Sequence, residues 1–451
     1  MSNVTYPLLM QNPLFRKFLA PNLTTRSLLS LTCIAAGHFF LFLLHLYLGR
    51  VLGPASYGTF VLVGTWFNLM HIAACAGFDI VLLQLLPVYI VESQFSTFRG
   101  LWRSANFLGM LVALGTGAAA LITIYLAGSG ASGDLFTCFV FVSCMLPLAV
   151  LISYRASLFQ ALKRPILSQV TAFLARPMAV LVVAMFMFSL LNVATTAANA
   201  ILAMLIASLP VLLIAELLSR SMLPYSGEVT PEYQQSKWRT LAWPIVIVAV
   251  LNLALGSLDI LMLGFIGNSS QLGTYGAASR ICSFISMTAT AVMTVASPTV
   301  AELHSQKERV RLEQLIVRCS AISIGASLAI AVVIVFARSL ILGLFGSEFI
   351  EAAIYVLPIA AAQLVGTTFS VSSWTLILCG FQREAMKIGL GSLIIGAVIQ
   401  ASLIKSFDLW GAALGLACAW LIWGVWIYIE VQRKVGIRSG FWMLLTTRTA
   451  C

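Results

Sequence analysis

Arg176 lies about eight residues inside an apolar stretch, roughly 12 Å deep at 1.5 Å per residue, and Pro177 follows it. A charged group in hydrocarbon costs at least about 2.5–3.5 kcal/mol, so it needs a partner or a water-filled cavity. No acidic residue shares its stretch. A guanidinium keeps its charge and presents a planar fork that matches two oxygens of a phosphoryl group. Arg176 is therefore a candidate contact for an anionic ligand, with bonding to helix-end carbonyls as the structural alternative. Pro177 predicts a kink beside it. Arg280 and Asp259 sit at similar depth in two successive stretches. They form either an ion pair, or a second anion contact beside a carboxylate that releases it or takes up a coupling proton. His38 and His45, seven residues apart, share a helical face, and His71 lies in the next stretch. Neutral imidazoles bond between helices, whereas titrating ones near a cavity carry protons. Asp79 follows Gly77 and either caps segment 80–91 or coordinates an ion. Arg50, in a Gly-Arg turn, fixes that turn or touches lipid headgroups. The substrate-binding candidates are thus Arg176 and Arg280, and the ion-coupling candidates are Asp259, His38, His45 and Asp79.

Enzymatic chemistry finds little to work with. Between the apolar stretches, on the side with few basic residues, the acids are Asp134, Glu348, Glu351 and Asp408, and no pair has a spacing suited to acid and base acting together. No phosphate-cradling loop or nucleotide motif occurs. The nine cysteines form no C-x-x-C pair, and all but Cys451 lie in or beside apolar segments, where thiols pack as small hydrophobes. No catalytic residue, metal site, cofactor or disulfide is expected.

These residues must be positioned by membrane helices. The chain has 451 residues, of which 60% are hydrophobic and 9% charged, a composition that excludes a soluble globular protein. Residues 104–133 and 352–382 contain no Asp, Glu, Lys or Arg. Spans of the length a bilayer requires read near 28–48, 59–79, 105–127, 135–153, 168–190, 197–217, 241–265, 274–298, 319–337, 354–378, 388–404 and 409–429. Segment 80–91, with Gly77 and Pro87 nearby, is expected to bend into the interface rather than cross again. Arg16, Lys17 and Arg26 precede a full-length apolar stretch without a small-residue cleavage site, so the first helix is expected to be retained.

With twelve spans, all but five of the 26 basic residues fall on one side; Arg50, Arg338 and Lys405 fall on the other, and Arg176 and Arg280 lie within spans. This positive-inside pattern places both termini in the cytoplasm. It also explains the net charge of +11 without nucleic acid, which is not an expected partner. The long loop 218–240 holds two prolines and mixed charges and separates six spans from six. The organisation expected is a cytoplasmic segment 1–27, a six-helix bundle 28–217, a cytoplasmic linker 218–240, a second six-helix bundle 241–429 and a cytoplasmic tail 430–451.

The halves echo one another. Leu48-Gly49-Arg50 leads to Ser56-Tyr57-Gly58, and Leu263-Gly264-Phe265 leads to Thr274-Tyr275-Gly276, with the Tyr-Gly pairs 218 residues apart. Leu162-Lys163-Arg164 and Phe381-Gln382-Arg383 are 219 apart. An offset containing an even number of spans gives a parallel repeat about an axis along the membrane normal. The fold class expected is an all-α polytopic membrane protein of about twelve helices, two six-helix bundles around a central cavity.

GRVLGPASYGTFVLVGTWFNLMHIAACAGFDIVLLQLLPVY, together with SLDILMLGFIGNSSQLGTYGAASRI, resembles the polysaccharide-export flippases. Their superfamily also holds the multidrug and toxin extrusion transporters and the lipid II flippases. The resemblance is clearest over 45–92, 155–180 and 255–302. It implies alternating-access translocation of a polyprenyl-pyrophosphate-linked oligosaccharide across a bacterial inner membrane, for O-antigen, capsule or exopolysaccharide. Membrane lipids, a polysaccharide polymerase and chain-length proteins are the further partners it implies. A cation-coupled multidrug antiporter and a membrane glycan polymerase or ligase are the alternatives. Two arginines against Asp259 and Asp79 within the spans favour an anionic substrate over a cationic one.

Overall fold

The structure, a computed structural model, describes residues 23–126, 133–223 and 230–437. Most of the 1–27 segment, residues 224–229 of the linker and the tail beyond 437 therefore lie outside the described residues. Within them the chain is helical, and no strand occurs. Helix α1 runs Leu23–Ala74 but reverses at Gly53, where φ is 71°, followed by Pro54. The Nδ1 of His45 and the hydroxyl of Tyr57 are hydrogen-bonded at 3.0 Å although twelve residues apart. A straight helix would separate them by about 18 Å, so α1 is two antiparallel spans. Helices α2 (Phe78–Val91), α3 (Phe95–Leu126), α4 (Gly133–Ala161), α5 (Pro165–Leu190) and α6 (Ala197–Met222) complete the first half.

The second half opens with α7 (Gln235–Gly256) and α8 (Leu258–Ile266), one span interrupted at Ser257. Next come α9 (Ser269–Ser305), capped by the Asn268 side chain, α10 (Arg309–Phe345) and α11 (Ala353–Leu378). Helix α12 (Gln382–Lys434) reverses at Asp408, and Gln400 donates across the reversal to the carbonyl of Ala412 at 2.8 Å. By length and composition, nine segments of the described residues suffice to cross a membrane. Two of them are hairpins, which gives eleven crossings, and α9, with 37 residues, is long enough for the twelfth.

The repeat is visible in the backbone. Turns at Ser93, Lys163, Lys307 and Gly380 each close with the left-handed residue (φ 57°, 60°, 61° and 90°) donating to the carbonyl three residues back. In each, the next residue donates to the carbonyl five back. This is the Schellman closure, which satisfies otherwise orphaned helix carbonyls. The turns after α2 and α9 correspond, as do those after α4 and α11, and all four lie on the face carrying the basic loops.

On the opposite face, where Arg50, Arg338 and Lys405 sit near helix ends, the halves interlock. The largest packing across them is α9 against α1. A Cβ at Gly58 would meet the Ser269 carbonyl oxygen at 2.0 Å, and one at Gly273 would meet that of Pro54 at 1.9 Å. Only glycine lets these backbones touch. Rings close the same region: Phe42 packs on Phe284, and Tyr57 on Phe345 and Phe349, at centroid distances of 5.7–6.1 Å. On the basic face, Trp238 of α7 donates to the Tyr89 hydroxyl of α2 at 3.1 Å.

Segment 80–91 breaks as expected, with Ala76 and Gly77 at φ 48° and 73°, and continues as α2 against α3, α4 and α7. The capping role for Asp79 needs correction. Gly77 holds the cap position without a side-chain bond, and Asp79 lies in the first helical turn, where its carboxylate faces the positive end of the helix dipole.

Candidate anion site between the two halves

Pro177 determines the local shape of α5. It lacks the N–H that would bond the Phe173 carbonyl, and the helix widens to π geometry over Val170–Leu174, with Ala175 N–H bonded to Val170 O. Such bulges recur at functional sites. A Cβ at Gly37 would lie 2.5 Å from the Phe173 oxygen, so glycine lets α1 approach α5 at this widened turn. Arg176 then projects into a cavity of about 210 Å³ whose walls come from α1, α5, α6 and α9.

The Arg176 guanidinium lies over the Phe67 ring, 4.7 Å from its centroid, and its Nη2 meets the Met145 sulfur at 3.4 Å. Its Nε is buried without a hydrogen-bond partner. Arg280 enters the same cavity from α9. Among the described residues neither guanidinium has an ion-pair partner; the ion pairs there are Arg155 and Arg220 with Glu216, and Arg311 with Glu308. No Asp or Glu lines the cavity, whereas Asn68, His38 and His45 do.

The expected Arg280–Asp259 ion pair is not formed. Asp259 is buried, accepting from the Tyr275 hydroxyl at 3.0 Å, from Ser279 at 3.5 Å and from Ile260 N–H at 2.9 Å. Tyr275 and Ser279 share a face of α9 one turn apart. Arg280, the next residue, is rotated about 100° away and faces the cavity. Asp259 is thereby held by neutral donors and does not line the anion site, although its charge acts on Arg280 nearby.

His38 bonds the Ile34 carbonyl at 2.8 Å and stacks on Phe173, while His45 is tied to Tyr57. Both reach the cavity wall. His71 bonds Ser153 at 3.1 Å. Asp79 is absent from the cavity. Sequence reasoning missed Phe67, Met145 and Asn68, and gave Tyr57 and Tyr275 no role beyond the repeat. The signal was present: each Tyr-Gly tyrosine bonds a polar residue of the preceding span, His45 in one half and Asp259 in the other.

The pattern of the family described as polysaccharide biosynthesis protein matches residues 25–304, most of the chain. The chain belongs to that family. The MatE family pattern also matches residues 244–403. No curated protein matches the chain by sequence. Among solved structures, it is similar to an inward-facing multidrug resistance MATE family transporter of the MOP superfamily, with a TM-score of 0.70 and 11% identity, covering 90% of this chain and 98% of that one. It is also similar to the lipid II flippase MurJ in an inward closed conformation, with TM-score 0.67, 12% identity and 88% and 87% coverage. A third is the MATE multidrug transporter DinF-BH, with TM-score 0.67, 15% identity and 90% and 94% coverage. This member of the polysaccharide biosynthesis family is thus a multi-pass membrane protein with the fold shared by those transporters and that flippase.

Proposed function

We propose that the chain is a flippase, not an enzyme, moving polyprenyl-pyrophosphate-linked oligosaccharide from the cytoplasmic to the outer leaflet of a bacterial inner membrane. The observation that carries this is the pair of guanidinia, Arg176 and Arg280, that reach one cavity from opposite halves with no carboxylate in its lining and no ion pair among the described residues. A diphosphate supplies the missing charge and bridges both. The basic face is cytoplasmic, with both termini on it, and residues 28–217 and 241–429 rock as two bodies about the bound headgroup. The lipid tail stays in the bilayer. A polysaccharide polymerase and chain-length proteins are the expected downstream partners.

Drug antiport has the MATE neighbours in its favour. An organic cation, however, wants a carboxylate in its cavity, and none lines this one. The test is depletion in the host, followed by measurement of which leaflet holds lipid-linked oligosaccharide, using a glycosidase on intact and opened spheroplasts. Inward-facing accumulation with loss of surface polysaccharide supports the flippase. Undisturbed oligosaccharide transfers the assignment to the antiporter, and outward-facing accumulation transfers it to a polymerase or ligase.

A further inference from the structure

A second cavity, of about 570 Å³, lies toward the basic face between α2 and the second half. This is within the roughly 300–1,000 Å³ typical of small-molecule sites. Three indoles shape it. Trp374 is 39% exposed, and Trp420 and Trp423 meet nearly edge to face with centroids 5.1 Å apart. The Nε1 of Trp420 is buried with no hydrogen-bond partner. Facing them are the amides of Gln84, Asn252 and Gln382, none with a side-chain hydrogen bond among the described residues. No charged residue lines this cavity.

Each part of this composition narrows the occupant. A lipid tail leaves the buried Trp420 N–H unsatisfied and offers nothing to the amides of Asn252 and Gln382 or to the exposed amide of Gln84 at the cavity's edge. An organic cation finds aromatic faces but no carboxylate, and an anion finds no basic group. A pyranose ring satisfies every element. Its C–H face packs flat on an indole, and its hydroxyls both donate to amide carbonyls and accept from amide and indole N–H groups. Resting on the flippase reading above, we propose that this cavity is the carbohydrate subsite. It holds sugar rings of the oligosaccharide while Arg176 and Arg280 hold the pyrophosphate. The substrate is then recognised at two places of different chemistry, one cationic and one neutral.

Equilibrium binding to the full chain in nanodiscs tests this with two probes: polyprenyl pyrophosphate alone, and the polyprenyl-pyrophosphate-linked oligosaccharide extracted from a host strain lacking the chain. The wild-type chain should bind the glycolipid about tenfold more tightly than the bare pyrophosphate. Trp374→Ala, partly exposed and so compatible with folding, and Gln84→Ala should each erase most of that difference while leaving bare pyrophosphate binding unchanged. Arg176→Ala should weaken both probes. An unchanged preference in both cavity variants overturns the carbohydrate subsite and leaves the flippase reading standing. Equal weakening of both probes by Trp374→Ala also overturns it, since that marks a structural wall. Failure of the wild-type chain to bind either probe overturns both readings together. Tighter binding of a rhodamine dye than of glycolipid, lost in Trp374→Ala, assigns the cavity to aromatic cations instead.

Discussion

A guanidinium over the face of Phe67 is stabilised by the ring quadrupole while its edge remains free to donate. Arg176 thus keeps its charge in the membrane without spending its hydrogen bonds on protein oxygens. Arg176→Lys preserves the charge and loses the fork, so it should retain part of the export activity. Arg176→Ala should reduce export at least about tenfold, the effect of losing a charge-assisted hydrogen bond of about 1.5–3 kcal/mol. Complementation at matched protein levels checks both, and full export by the alanine variant removes Arg176 from transport. Tyr275→Phe addresses the other half of the polar interior. It deletes the 3.0 Å donor to buried Asp259 and should cost about 1–3 kcal/mol. A thermal unfolding midpoint unchanged from wild type would show that this bond contributes nothing. At this scale both arginines were legible, because charge in an apolar span is conspicuous. Phe67 and Met145 were not, since an apolar side chain in an apolar span carries no sign of what it touches. Asn252 and Gln84 were visible as amides, but only the fold brings α7 and α2 to one cavity.

Helices here begin and end where short-range chemistry dictates. Three of the four Schellman turns place a side chain in the left-handed region, at Ser93, Lys163 and Lys307, whereas the fourth uses Gly380. A left-handed L-residue costs roughly 1–2 kcal/mol. Lys163→Gly should therefore raise stability by up to about 1 kcal/mol and Gly380→Ala should lower it by a similar amount. Detergent-phase thermal unfolding reads both, and opposite signs would refute the assignment of strain. Spans and loops were legible because hydropathy, charge and turn residues agree. The kink at Pro177 was also legible, but the π register that turns Arg176 into the cavity was not. Pro177 removes one hydrogen bond, but which way the turn then widens is not written in the local sequence, and the widened turn packs against Gly37 on a span more than a hundred residues earlier.

The whole molecule is closed on one face by backbone and rings, with no ion pair among the described residues there. A side chain at position 273 has no room against Pro54, so Gly273→Val should keep that face from sealing. In a cysteine-free background, Asn68→Cys lines the first cavity and reports access. Gly273→Val should speed its labelling by an impermeant maleimide from the side opposite the basic loops about tenfold, equivalent to a population shift near 1.4 kcal/mol. Unchanged labelling would mean that the glycine contact is not what keeps the cavity shut. Two-half symmetry was legible in the paired Tyr-Gly motifs, but which face closes was not, because closure depends on Phe345 and Phe349 meeting Tyr57 across the repeat. On the function proposed above, the pair of arginines in the cavity has an electrical consequence as well. A membrane potential acts on net charge with about 2.3 kcal/mol per elementary charge per 100 mV. Empty, the cavity presents two guanidinia and no carboxylate in its lining, offset in part by Asp259 buried nearby. Loaded with a diphosphate, as proposed above, it holds about two fewer positive charges. Voltage would therefore bias the vacant carrier far more than the occupied one, making the return stroke, rather than the delivery, the step that an energised membrane governs.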